Sequence, residues 1–155
     1  MNKPIYIHYG HNEYKTPNPI VNERNWTKPK GGLWASRKDD DFGWKDWCKN
    51  EDFRMSSFDS FFEFVLKDQA RVLTLHDVDQ LDNLPKTNHP DRPYIKHDAY
   101  SECCLDFEKL TKEYDAVELI NVNQFYYALY GWDCNSILIM NPNIIEIVKE
   151  SKENV

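Results

Sequence analysis

The chain has 155 residues and carries 19 Lys and Arg against 26 Asp and Glu, a formal charge of −7, which argues against broad binding to nucleic acid or to an anionic membrane and leaves only a local patch, such as Lys28 to Lys30 or Arg92 with Lys96, for such contacts. With 41% hydrophobic residues and five Trp, nine Tyr and eight Phe it can bury a core of one domain's size, which excludes disorder of the whole chain, and residues 1–155 read as a single domain. No run of about 18 apolar residues occurs and the start Met-Asn-Lys-Pro-Ile-Tyr lacks the basic-then-apolar pattern of a signal peptide, so a cytoplasmic protein with no membrane partner is expected.

Pro4 to Tyr9 is short, β-branched and aromatic and stops at Gly10, which predicts a strand ending in a tight turn. Asn12 to Lys30 is polar, Pro-rich and without periodicity, a connection long enough to mark a functional loop. After Gly31-Gly32, Leu33 to Ser36 reads as a second strand; Asp39 to Asp41 then favour the start of a helix carrying Trp44, Trp47 and Cys48, with the two Trp on one face. Phe58 to Leu66 alternates and predicts a strand, and Lys67 to Gln69 turns it into Arg71 to Leu75 as a hairpin or a pair of neighbouring strands. A helix over Asp77 to Leu84 is stopped by Pro85, and Lys86 to Ala99 is surface loop. Apolar residues at helical spacing predict a helix over Ser101 to Tyr114, followed by a strand over Ala116 to Ile120 and a short helix over Asn123 to Leu129. Ser136 to Met140 is the most apolar strand and is placed centrally, whereas the charged end from Glu146, above all residues 149–155, is expected to fray. The interspersed elements give an α+β class with a mainly antiparallel sheet and flanking helices.

His8 ends the first strand beside Tyr9 and Gly10, Gly32-Leu33-Trp34-Ala35-Ser36 follows the long loop, and Trp44 and Trp47 lie on the next helix. Singly, these read as a structural His and core tryptophans. Together, a glycine that lets backbone approach a ligand, a His able to bond a ribose hydroxyl and two aromatics able to sandwich a flat ring are what a nicotinamide riboside site needs. In this order the residues resemble the ADP-ribosyltransferase superfamily, in the branch of diphtheria toxin and the poly-ADP-ribose polymerases, whose motif is His, Tyr and Glu on three separate strands. His8 with Gly10 matches the first element and Gly32 to Ser36 the second, with Trp34 in place of the Tyr and Trp47 in place of the second aromatic. The third element falls at Asp133-Cys134-Asn135-Ser136, where the Glu is absent; Asn135 or Ser136 occupies its position and Asp133 lies beside it.

The resemblance implies an ADP-ribosyltransferase-like fold with a split sheet, and NAD as the substrate. It implies that Trp34 and Trp47, with Trp44 near them, stack the nicotinamide, that the Gly10 backbone holds the carboxamide, and that His8 bonds the adenosine-side ribose. It further implies a carboxylate steadying the oxocarbenium-like state, with Asp133 and Glu118 as candidates where the Glu is missing. Glu118 alternates with Val117 and Leu119, which aims it either into a cleft or into water. Family members without the Glu transfer single ADP-ribose units, so the activity implied is mono-ADP-ribosylation of a macromolecular acceptor, a protein by preference, in a bacterial or phage-infected cytosol. The alternative is an inactive module that binds NAD, another ligand or a protein, such as an acidic inhibitor of a host nucleic-acid-binding protein.

Other chemistry is less well supported by the residues. His89, Asp91, His97, Asp98, Cys103 and Cys104 are metal-competent but match no zinc spacing, so no metal is expected, and Cys48, Cys103, Cys104 and Cys134 are expected as reduced thiols. With five glycines and no Gly-x-x-x-x-Gly-Lys or Gly-x-Gly-x-x-Gly pattern, nucleotide loops of those kinds are excluded.

Overall fold

A computed structural model of the chain describes residues 3–23, 26–53, 58–87 and 102–154. Seven strands form one sheet: β1 (Tyr6–Tyr9), β2 (Leu33–Arg37), β3 (Phe61–Leu66), β4 (Val72–Leu75), β5 (Ala116–Leu119), β6 (Ser136–Ile139) and β7 (Ile145–Glu150). Their order is β4-β5-β6-β2-β1-β3-β7, and every pair is antiparallel except β4 with β5. With two short α-helices among the described residues, α1 (Trp44–Glu51) and α2 (Phe107–Leu110), this is an α+β fold with a mostly antiparallel sheet. No helix among the described residues is long and apolar enough to cross a membrane.

Alternation along the buried strands β5 and β6 separates two cores. Val117, Leu119 and Leu138 face a cluster closed by Leu81, Phe107, Leu110, Phe125 and Trp132, while Ala116, Ile137 and Ile139 face a second cluster with Tyr6, Phe62, Phe64 and Ile145. Tyr6 on β1 donates to Glu118 on β5 over 3.1 Å, although two strands lie between them. Three inter-strand steps of about 4.8 Å hold these backbones about 14 Å apart, a gap that the two long side chains reach across over the second core. Glu118 also takes two bonds from Arg37, at 2.8 and 3.1 Å.

Several elements depart from the expectations. Arg71 to Leu75 does not pair with β3: β4 lies parallel to β5, at the far side of the sheet. The cause is Asp115, whose carboxylate accepts from the Arg71 N–H (2.8 Å) and guanidinium (3.2 Å) while its own N–H donates to the Arg71 carbonyl (2.7 Å). The helix expected over 101–114 shrinks to Phe107–Leu110, because Asp106 caps it by accepting from Lys109 N–H and the residues before it bond to the segment after Leu84, Asp106 N–H donating to the Pro85 carbonyl at 2.8 Å and Leu105 bridging Lys86. Asp77–Leu84 and Asn123–Leu129 hold tight 3-10 turns, Val78–Asn83 and Val122–Phe125, rather than α-helix. The end expected to fray is strand β7 to Glu150 and a 3-10 turn over Ser151–Asn154, because β7 hydrogen-bonds along β3.

Candidate functional site

The sheet opens between β1 and β2. They pair only through Tyr6 with Arg37 and Ile7 with Ser36, whereas β2 pairs with β6 through Leu33, Trp34 and Ala35. Beyond Ile7 the backbone ladder is replaced by a side chain: His8 Nδ1 lies 2.6 Å from the Trp34 carbonyl. A carbonyl only accepts, so Nδ1 carries the proton and Nε2 is left as an acceptor. His11 supplies the donor, its Nδ1–H 2.9 Å from His8 Nε2 and its ring stacked on that of His8 with centroids 5.1 Å apart. Gly10 lets the chain double back, with φ of +107° and open space where a Cβ would stand. Phe62 covers the His8 ring at 4.9 Å. Burial, helped by His11 and only partly offset by the bond to Trp34, holds the His8 pKa below 6.5.

His8 and Trp34 line two compartments. One, of about 200 Å³, is walled by Tyr9, Trp34, Trp44 and Trp132, with Ser36, Cys134 and Ser136 below and Lys28 and Asp133 as its charges. The other, of about 500 Å³, is the more polar of the two, with His11, Asn12, Glu13, Lys15 and Asn18 along its walls beside the apolar Pro17 and Leu33 and the backbone of Gly32. Trp132 stands edge-on to Trp34 at 4.7 Å and donates its Nε1–H to the Thr27 carbonyl, and the Lys28 ammonium lies 5.4 Å from the Trp34 ring centre. Burial raises the Asp133 carboxyl above its usual 3.8, a shift that Lys28 opposes and Glu51 reinforces. Burial likewise pushes the Cys134 thiol to about 12, which removes it as a thiolate nucleophile at neutral pH.

The expected site residues divide into three groups. His8, Tyr9, Trp34, Ser36, Trp44 and Asp133 meet at the aromatic compartment, and Gly32 borders the polar one. Ser36 is held in place, its Oγ accepting from the Trp44 N–H that opens α1 (3.0 Å) and donating to the Asn135 carbonyl (2.9 Å). Trp47, Gly10 and Asn135 stand outside the lining. Trp47 stacks behind Trp44 at 5.2 Å and against Phe53, so the aromatic offered to the cleft is Trp44. Gly10 donates its N–H to the Ser60 carbonyl at 2.8 Å, which leaves that donor engaged. Asn135 spends its side chain on Val122 N–H (3.0 Å) and Asp40 (3.4 Å). Glu118 belongs to the second core and to the Arg37 ion pair, away from the cleft, and neither of the outward orientations open to it from alternation applies.

His11, Lys28 and Trp132 are cleft residues that the motif reading passed over. The spacing His8-Tyr9-Gly10-His11, with a glycine that reverses the chain, is the signal for the first, and the adjacency of Trp132 to Asp133 is the signal for the last. His89, Asp91, His97 and Asp98 lie outside the described residues, Cys103 and Cys104 are buried, and among the described residues no group of three or more His, Cys, Asp or Glu is arranged to hold a metal. No protein-family model matches the chain, and neither a curated protein nor a solved structure matches it, so the functional reading rests on this geometry.

Proposed function

We propose that the protein is an NAD-using mono-ADP-ribosyltransferase with an ADP-ribosyltransferase-like fold, transferring one ADP-ribose to a macromolecular acceptor, by preference a protein. The observation that carries this reading is that His8 and Trp34, on adjacent strands, border one opening with an aromatic compartment on one side and a polar one on the other. A dinucleotide has the same division: a flat cationic ring at one end, and hydroxyls and phosphates towards the other. Trp34 and Trp44 suit the ring, and His11, Asn12, Lys15 and Asn18 suit the ribose-phosphate portion. In the reaction the bond between C1′ of the ribose and the pyridine nitrogen breaks, nicotinamide leaves with the electron pair, and an acceptor atom bonds to C1′ and gives up its proton. The ionised Asp133 carboxylate opposes the positive charge that develops on the ribose, and its burial strengthens that effect.

A second reading, a binding module without turnover, is favoured by Lys28, whose ammonium lies over the ring of Trp34 where a nicotinamide would stack. Tryptophan fluorescence during NAD titration and release of nicotinamide separate the two. Trp44→Ala is expected to weaken NAD binding by about 1 kcal/mol and Trp47→Ala by less. Asp133→Asn is expected to slow nicotinamide release about 100-fold with NAD affinity kept. Quenching without release from the folded wild type favours the binding module; neither quenching nor release removes NAD from the reading.

A further inference from the structure

We propose that the tyrosine-rich turn after β5, together with the acidic loop after β2, is a docking surface for a basic polypeptide that presents Arg or Lys side chains beside the cleft. Tyr126, Tyr127 and Tyr130 are 63%, 44% and 59% exposed, and their rings pack edge to face, with centroids 4.9 Å and 6.2 Å apart along the group. A contiguous aromatic patch held in water marks an interaction site, and Tyr is among the residues concentrated where proteins meet. The patch is continuous with the cleft rim. Thr27 Oγ1 donates to the Tyr130 carbonyl at 2.5 Å, and the Thr27 carbonyl accepts from Trp132, so the segment carrying the 56% exposed Trp26 lies against the tyrosine turn.

The surrounding charges select the partner. Ile120 to Trp132 contains no charged residue, and no Lys, Arg or His occurs between Lys112 and Lys149. Asn135 ties the acidic loop to the start of the turn: its Oδ1 accepts from the Val122 N–H at 3.0 Å, its Nδ2 lies 3.4 Å from Asp40 Oδ1, and its own N–H donates to the Phe42 carbonyl at 3.0 Å. The bordering cation is Lys28, whose Cε would stand 4.0 Å from a Cβ at Gly131. Asp39 and Asp41 on that loop are exposed, and Phe42 is 40% exposed. Lys28, the cation of the cleft, is turned to Trp34 and Asp133. A guanidinium on a tyrosine face with the carboxylates of Asp39 and Asp41 on the neighbouring loop satisfies both the ring quadrupole and the charge, whereas a phosphate backbone would meet those carboxylates and one bordering cation, Lys28, already turned to Asp133. The inference goes beyond the NAD reading and does not depend on it, since such a surface serves an acceptor protein and a stoichiometric partner alike.

The test measures fluorescence anisotropy with the full chain at 150 mM NaCl, using two probes: a labelled ten-residue peptide of alternating Arg and Ser, and a labelled twelve-nucleotide single strand. The peptide is expected to bind, and the double variant Tyr126→Ser, Tyr130→Ser to weaken it about tenfold. Tyr126→Phe, which keeps the ring, is expected to retain binding, which guards against a folding effect of the double variant. Asp39→Asn with Asp41→Asn is expected to weaken the peptide several-fold. Asp68→Asn removes a carboxylate that is 90% exposed on the turn after β3, and is expected to change binding less than twofold. Three results would each overturn the proposal: no binding of the Arg peptide, equal losses for Asp68→Asn and the tyrosine variant, or tighter binding of the single strand than of the peptide.

Discussion

Removing either partner of the Arg37–Glu118 pair is expected to cost stability unequally. Glu118 is 5% exposed and accepts bonds from Tyr6 and two guanidinium nitrogens of Arg37, whose own side chain is 39% exposed. Arg37→Met leaves a carboxylate inside the second core with only the Tyr6 hydroxyl. Loss of one partner of a buried pair costs roughly 3–5 kcal/mol, and the partial exposure of Arg37 puts this case at the lower end, about 3 kcal/mol. Glu118→Gln keeps the Tyr6 bond and leaves a guanidinium that water can reach, so about 1 kcal/mol is expected. At roughly 2.1 cal/mol/K per residue the unfolding entropy of the chain is about 0.33 kcal/mol/K, which converts these costs into midpoint shifts of about 9 °C and about 3 °C. Calorimetry or urea unfolding of the two variants measures the difference. A larger loss for Glu118→Gln than for Arg37→Met would refute the reasoning, and nicotinamide release lost in Glu118→Gln with its stability intact would return Glu118 to the chemistry.

The other expectations concern backbone, pH and register. A Cβ at Gly32 would stand 2.7 Å from Leu138 Cδ1 and 3.0 Å from the Ile139 carbonyl oxygen, at a φ of +72°, whereas one at Gly10 meets nothing within 4 Å. Gly32→Ala should therefore cost about 3 kcal/mol in urea unfolding and Gly10→Ala about 1, and equal losses would show that backbone conformation alone sets both. Because the His8 pKa is lower in the folded chain than the 6.5 of an exposed imidazole, the unfolded chain binds more protons between those values. The stability that His8 contributes is complete above about pH 6.5 and is lost as pH falls through its folded value; His8→Phe should flatten the stability profile below about pH 6.5, and an unchanged slope there would assign that dependence elsewhere. Asp115, where burial is outweighed by the bonds from Arg71 and Asn141, has its pKa held below 3.8, so Asp115→Asn should lower stability at pH 7 by about 2 kcal/mol and by less near pH 3; a constant difference would argue against an ionised clamp.

Local pattern was sufficient where one strand's own residues decide its fate. Tyr6–Tyr9, Leu33–Arg37 and Ser136–Ile139 follow from β-branched and aromatic runs bounded by glycine or Asn-Pro, and they are the strands that border the opening or lie beside it. Partner choice was not legible. Nothing within Arg71 to Leu75 says that Asp115, far along the chain, will draw the segment into a parallel pair with β5. Trp44 and Trp47, three apart, are equivalent as sequence; the bond from Trp44 N–H to Ser36 fixes where the helix begins, and with it which ring meets the cleft. Glu118 was not legible for a related reason: its partners, Tyr6 and Arg37, come from strands far away in the chain, and they make the strand face that alternation assigns to a cleft or to water part of a second core.

The placement of β7 has a consequence for self-association. Phe61–Leu66 reads FFEFVL, an apolar segment whose free edge would template pairing with other chains. The strand that covers it carries Glu146, Lys149 and Glu150 along IEIVKE, so the outermost edge of the sheet presents alternating charge where bare β3 would present phenylalanine. Each time this edge peels away, by heat or by loss of the last residues, the chain exchanges a charged border for an adhesive one, and aggregation should begin there before the opposite end of the sheet gives way.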